Sequence, residues 1–199
     1  MPPHQNSNGS FTPFYALLGE LVIQWNYTES LAGFLLSGLA GGGDKTRILT
    51  SGLGNVALKE ALLTFSNEFA ESELRAHINH FCDYFDRMRE HRNWLVHSIA
   101  VLGNDKDGGT IGLSQSTKAK GRLVFHQKQT READLTECIR RLLELHDYGN
   151  RLVPHVYTFD KPLPLYQPLS SLEMPLLPDR LQKSPLFLRD VASRPPSSP

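Results

Sequence analysis

One segment of the chain, residues 72–102, repeats its apolar side chains every three or four residues for about eight helical turns. Such a repeat is typical of a long helix with one buried face, and Ser72 with Glu73 supplies a helix-start signal. The other elements must cover that face, so the segment predicts a helical fold. The repeat consists of Leu74, Ile78, Phe81, Phe85, Met88, Leu95, Ile99 and Leu102.

Three further segments carry helical patterns. Thr12 and Pro13 form a start signal for a first helix over residues 12–38. A second helix is predicted over residues 47–69, as an antiparallel neighbour of the first. A last helix is predicted to begin at Thr130 or Asp134 and to end at about Leu152. The sequence therefore predicts an all-α, up-and-down four-helix bundle.

The segments outside these helices define the domain boundaries. Residues 103–120 are rich in Gly, Asp, Asn, Ser and Thr, and short apolar pieces lie at 110–113 and 122–125. This pattern predicts a small β-hairpin between the third and fourth long helices, the alternative being an ordered loop. Ten of the thirteen prolines lie in the last 46 residues, where they prevent a further helix. We expect a flexible N-terminus over 1–11, one helical domain over 12–155, and an extended or disordered Pro/Leu-rich tail over 156–199.

Charge and cysteine content limit the classes of function. The chain has 21 basic and 21 acidic residues, so any RNA contact needs a local basic patch. Lys118, Lys120, Arg122 and Lys128 form such a patch around the hairpin; a solvated loop is the alternative interpretation. Only two cysteines are present, no secretory signal is recognisable, and no membrane span is predicted, which indicates a cytoplasmic protein.

Two charged residues fall on apolar helix faces. Arg92 stands where the repeat of the third helix calls for an apolar residue, and Glu29 lies on the stripe of the first helix that includes Trp25. A buried guanidinium needs a partner, and a carboxylate fits it bidentately. We therefore expect an ion pair between Glu29 and Arg92, the alternative being that Arg92 extends to water at the edge of its stripe.

His97 lies five residues after Arg92, about 140° around the helix, and shares a second face with Asn93. Trp94 and Val101 give this second face an apolar character, which predicts a two-fold dimer contact. Such a dimer would bring two copies of the Arg92, Asn93 and His97 cluster together.

The string Arg92-Asn93-Trp94-Leu95-Val96-His97, late in the third of four helices, resembles the signature of the HEPN superfamily of helical RNA-associated domains. The Arg-Asn-x-x-x-His spacing is similar to the form found in Abi-like bacterial defence proteins. The order of parts is similar too, since a first helix with Trp25 and Glu29 precedes the motif helix and a closing helix follows. The resemblance covers residues 12–155.

The resemblance implies a metal-independent endoribonuclease without a cofactor, acting as a homodimer with a composite site in a defence or toxin–antitoxin setting. Arg92 would neutralise charge on the phosphorus-centred transition state, and His97 would transfer protons between the ribose 2′-hydroxyl and the leaving oxygen. Asn93 would orient the phosphate or the imidazole, and Glu29 would hold Arg92. The product ends would be a 2′,3′-cyclic phosphate and a 5′-hydroxyl.

One alternative function remains open, and one possible metal site was considered. The protein could instead be a non-catalytic helical dimer that binds RNA, or a protein partner through its tail. His77, His80 and Asp83 step by three along the third helix, but they do not make a full ligand set, so no metal site is predicted.

Overall fold

The computed structural model describes residues 12–101, 110–119, 122–157, 168–182 and 184–186, so the predicted flexible segment 1–11 lies outside the described residues. The described chain is mainly helical with one small antiparallel sheet, which confirms the helical class. The elements are α1 (Thr12–Leu39), α2 (Asp44–Ser51), α3 (Asn55–Phe69), α4 (Ser72–His97), β1 (Ile99–Val101), β2 (Thr110–Ala119), β3 (Arg122–Arg131), α5 (Glu132–Tyr157), a 3-10 turn (Leu169–Ser171) and β4 (Ser184–Leu186).

Helix α4 is the long helix that the apolar repeat predicts, but it ends earlier than expected. Its predicted core residues from Leu74 to Leu95 are buried. The prediction that the helix continues to Leu102 is wrong, because the backbone becomes extended at Ser98 and the next residues form β1. Ile99 and Val101 are β-branched residues, which favour strands. Their backbone pairs with β2 through sheet hydrogen bonds, which replace the helical ones.

The directions of the helices follow from their contacts. The Trp25 ring of α1 stacks on Phe85 of α4 at 4.9 Å, and the side chains of Leu31 and Phe81 both lie against Gly149 of α5. Residues that come later in α1 therefore meet residues that come earlier in α4, so these two helices run antiparallel.

The second predicted helix is two helices. Glycines at 52 and 54 separate α2 from α3, and the turn before α2 contains Gly42, one of three consecutive glycines at positive φ. α3 joins α4 by a short turn and its Lys59 contacts Asp86, which makes α3 antiparallel to α4 and parallel to α1. The prediction of one helix over 47–69 that runs antiparallel to the first is therefore wrong.

The sheet begins directly after α4. Strands β2 and β3 form the predicted hairpin, and β1 and β4 add to its two edges in the order β1-β2-β3-β4. Ile99 pairs with Ser114 on one edge and Phe125 with Leu186 on the other. The end of α4 is thus tied to a four-stranded sheet rather than to an isolated hairpin.

Part of the proline-rich tail lies along α4. We call residues 168–182 the strap. Nε2 of His80 lies 2.7 Å from the carbonyl oxygen of Pro175, and Arg87 donates to the carbonyl of Pro178 at 2.7 Å. Pro178 and Leu172 are buried. Backbone carbonyls of the strap therefore accept hydrogen bonds from the side chains of α4.

The last helix continues three residues beyond Pro154, to Tyr157. Val156 is buried, with its side chain against Gly38 near the end of α1, and this packing favours the extra turn. No helix within the described ranges is long and apolar enough to cross a membrane.

The close packing of α5 on α1 and α4 predicts opposite effects for two glycine substitutions. In Gly149→Ala the new Cβ would lie 2.7 Å from Leu31 and Phe81, so we expect a loss of about 1–3 kcal/mol in the free energy of unfolding. Gly33→Ala, in α1 with nothing within 4 Å, should gain about 0.5–1 kcal/mol. Urea titration of both variants measures this, and a neutral Gly149→Ala would contradict the packing.

Candidate functional site at the end of helix α4

The last turns of α4 bring together the three residues of the sequence motif. Nη1 of Arg92 donates to Oδ1 of Asn93 at 3.1 Å and points at Nε2 of His97 at 3.3 Å. Arg92 and Asn93 are half-buried, whereas His97 is exposed. The structure therefore combines a guanidinium, an amide and an imidazole within one helical turn and a half.

The contact between Arg92 and His97 gives Nε2 of the imidazole a definite role. A guanidinium only donates hydrogen bonds, so Nε2 of His97 can take part in this contact only as the acceptor. The Nε2 atom of His97 therefore faces a cation. A bound anion would compete for the same guanidinium and release Nε2.

The predicted ion pair between Glu29 and Arg92 is wrong within the described residues. The guanidinium instead lies over the ring of Trp25, with Cζ 5.9 Å from the ring centroid. Because α1 runs antiparallel to α4, Glu29 lies one turn farther along α1, toward the start of α4 and away from Arg92. Trp25 and Glu29 lie about one turn apart on α1, so the direction of packing determines which of them is beside Arg92.

The buried face of α1 also differs from the predicted stripe. The residues at the centre of this face follow one another at intervals of three and four positions, and Glu29 lies at the edge of the face. Glu29 lines a cleft of about 990 Å³ between α1 and α2, where Arg47 lies 5.1 Å from the ring of Phe34. The centre of the buried face, which we call the inner seam, consists of Leu21, Trp25, Thr28, Ala32 and Leu35.

Arg92 lacks the carboxylate partner that five other arginines of the described chain have. In the part of the chain that the structure describes, it forms no ion pair, and its Nε is buried without a hydrogen-bond partner. A half-buried guanidinium without a carboxylate is suited to bind an anion such as a phosphate. The arginines that do contact a carboxylate are Arg89, Arg140, Arg141, Arg151 and Arg180.

The predicted dimer face around His97 is not an apolar surface. The side chain of Trp94 is 1% exposed because it packs into the core of its own chain. The side chain of Val101 lies outside the described residues. The predicted dimer contact therefore lacks the exposed tryptophan on which it depended.

The predicted basic patch is only partly described. Lys118 and Arg122 lie on β2 and β3 near the hairpin turn, but their side chains, and all of Lys120, lie outside the described residues. Lys128 is half-buried on β3, in register with Leu113. Leu113 in turn pairs with Ala100 of β1, so the backbone at Lys128 lies two strand spacings, about 10 Å, from β1.

The remaining candidate side chains have structural partners. Burial raises the pKa of both the Cys82 and Cys138 thiols to about 12, which makes them unreactive core residues. The hydroxyl of Tyr148 lies 2.8 Å from Nδ1 of His77, and His80 contacts the strap. Among the described side chains no group of three or more metal-ligating residues comes together.

Sequence reasoning missed the strap contacts. Besides His80 and Arg87, His91 also contacts the strap, and His91 is the residue before Arg92. Nε2 of His91 lies 2.9 Å from the carbonyl oxygen of Asp179. The helical spacing of these three donors was visible, but their acceptors lie about ninety residues away and carry no sequence signal.

No family model, curated protein or solved structure matches the chain.

The burial of His77 predicts a pH dependence of stability. Desolvation lowers the pKa of His77 below the usual value of 6.5 in the folded state, so the unfolded chain binds the proton more readily. The stabilisation is complete above pH 6.5 and decreases as the pH falls toward the folded-state pKa. His77→Gln should reduce this slope in urea titrations across the pH range, leaving the contribution of His155, whose pKa burial also lowers.

Tyr148→Phe is the matched control for this experiment. It removes the hydroxyl that lies 2.8 Å from the ring of His77 but leaves that ring buried, so overall stability should fall while the pH slope remains. A slope in His77→Gln equal to that of the wild type would contradict the assignment.

Proposed function

We propose that the chain is a metal-independent endoribonuclease of the HEPN type, with a four-helix bundle formed by α1, α3, α4 and α5. The observation that supports this proposal is the contact between Arg92 and His97 at 3.3 Å, made by an arginine with no carboxylate partner in the described residues. Asn93 completes a site suited to a phosphodiester, because all three side chains reach one point at the end of α4.

In the proposed reaction, Arg92 binds the scissile phosphate and leaves Nε2 of His97 able to accept a proton. His97 takes the proton of the ribose 2′-hydroxyl, the 2′-oxygen forms a bond to phosphorus, and the bond from phosphorus to the 5′-oxygen breaks. The leaving 5′-oxygen receives that proton from the protonated imidazole. Arg92 neutralises the extra negative charge of the transition state, and the products carry a 2′,3′-cyclic phosphate and a 5′-hydroxyl.

The surroundings favour RNA as the substrate of this site. The sequence around the hairpin contains Lys118, Lys120, Arg122 and Lys128, and a local patch is what a chain of zero net charge needs to hold a phosphate backbone. Arg92 and His97 meet within one chain, so a homodimer would supply a second copy of the pair rather than complete the first. The family resemblance favours a cytoplasmic defence or toxin–antitoxin setting.

The alternative of a binding protein that docks partners through its tail has less support. The strap is held by three side chains of α4, and β4 pairs with β3, so these parts of the tail are already bound within the chain. A partner would have to displace these contacts first.

The nuclease proposal predicts the loss of RNA cleavage when either charged group is removed. Purified protein is incubated with mixed cellular RNA in EDTA, and cleavage is measured on gels. The wild type should cut, and Arg92→Ala and His97→Ala should each reduce the rate by about 100-fold or more. Arg151→Ala is the control, because Arg151 pairs with Asp147 on the surface of α5, and it should cut like the wild type.

Circular dichroism of each variant confirms that the fold is kept, since His97 is exposed and its loss should not unfold α4. End analysis of the fragments should find cyclic phosphates. Cleavage that survives in His97→Ala, or no cleavage by the wild type, would overturn the proposal.

A further inference from the structure

The cleft between α1 and α2 has the size of a small-molecule site and is separate from the cluster at the end of α4. Its volume is about 990 Å³, and Arg92, Asn93 and His97 do not line it. Both helices and the segment that follows α2 contribute to its walls. The lining residues that matter for its chemistry are Glu29, Phe34, Asp44, Arg47, Leu53 and Leu58.

Helix α2 forms one wall of the cleft and is joined to the rest of the chain through glycines. Three consecutive glycines at positive φ, residues 41–43, precede it, and glycines at 52 and 54 follow it. The helix folds back along α1, because its Arg47 lies 5.1 Å from the ring of Phe34, which is five residues before the end of α1. Glycines at both ends allow α2 to adjust to a bound molecule with little backbone strain.

Two carboxylates line the cleft and form no ion pair within the described part of the chain. Glu29 is half-buried on α1, and Asp44 is exposed at the start of α2. Arg47 is the one basic residue among the described lining residues, and its guanidinium lies over the ring of Phe34. The described lining therefore has two negative charges and one positive charge, which favours a cationic ligand.

The two carboxylates lie at different levels of the cleft. Glu29 is five residues before Phe34 on α1, and Asp44 is three residues before Arg47 on α2, which runs the opposite way. At about 1.5 Å per residue, the backbones at Glu29 and Asp44 are therefore about 12 Å apart along the helix axes. A ligand that reaches both carboxylates must carry positive groups at two separated points.

We propose that the cleft between α1 and α2 binds a linear polyamine, with one terminal ammonium at Glu29 and the other at Asp44. The methylene groups between the nitrogens suit the apolar lining that Phe34, Leu53 and Leu58 supply. Spermidine, extended to about 11 Å between its terminal nitrogens, matches the separation of the two carboxylates. This binding site goes beyond the proposed nuclease function and does not depend on it.

Glu29 should contribute more to polyamine binding than Asp44. Asp44 lies in the first turn of α2, where the positive end of the helix dipole already stabilises its charge. Glu29 lies in the interior of α1, away from both helix ends, and it is half-buried, so less water screens its attraction to a cation.

Isothermal titration calorimetry of the full chain with spermidine, at physiological salt and without RNA, tests the site. The wild type should bind, Glu29→Gln should weaken binding by about tenfold or more, and Asp44→Asn should weaken it less. Arg47→Gln should instead strengthen binding by about threefold, because it removes a like charge from the lining. Glu68→Gln is the matched control, since Glu68 is an exposed carboxylate of α3 that does not line the cleft.

A shorter diamine tests whether both carboxylates are used. Putrescine extends to about 6 Å between its nitrogens and reaches one carboxylate at a time. It should bind more weakly than spermidine, and Asp44→Asn should change its affinity little.

Three results would overturn the polyamine proposal. The first is a wild type that does not bind spermidine. The second is equal binding by Glu29→Gln and Glu68→Gln, which would indicate general charge attraction without a site. The third is weaker binding by Arg47→Gln, provided that circular dichroism shows its helices intact. No RNA is present in these titrations, so their outcome is separate from that of the cleavage assay.

Discussion

The stacking of Trp25 on Phe85 is the contact on which the arrangement of the helices and of the candidate site depends. Both rings are fully buried, and together they fix the level at which α1 crosses α4. The same indole ring faces the guanidinium of Arg92. An aromatic face attracts a cation without neutralising it, whereas a carboxylate would cancel its charge. Arg92 therefore keeps a positive charge that can act on an anion.

The sequence predicted the features that depend on one helix and failed on those that depend on two. The buried face of α4 follows from its own periodicity, and helical spacing makes Asn93 a neighbour of His97, although it places Arg92 about 140° around the helix from His97. The choice between Trp25 and Glu29 as the partner of Arg92 required the relative direction of two helices, which no single periodicity contains. The early end of α4 likewise depends on its pairing with a distant strand, which outweighs local helix propensity.

The end of α4 is held from several sides, which matters for chemistry that needs fixed geometry. Strand β1 follows the helix and pairs with β2, the strap reaches His91, and Arg180 of the strap contacts Glu90 at 3.6 Å. Catalytic groups act best when neighbouring packing and hydrogen bonds hold them in place. A helix terminus of a small domain would otherwise fray, so the proline-rich strap contributes to the site although it supplies none of the three motif residues.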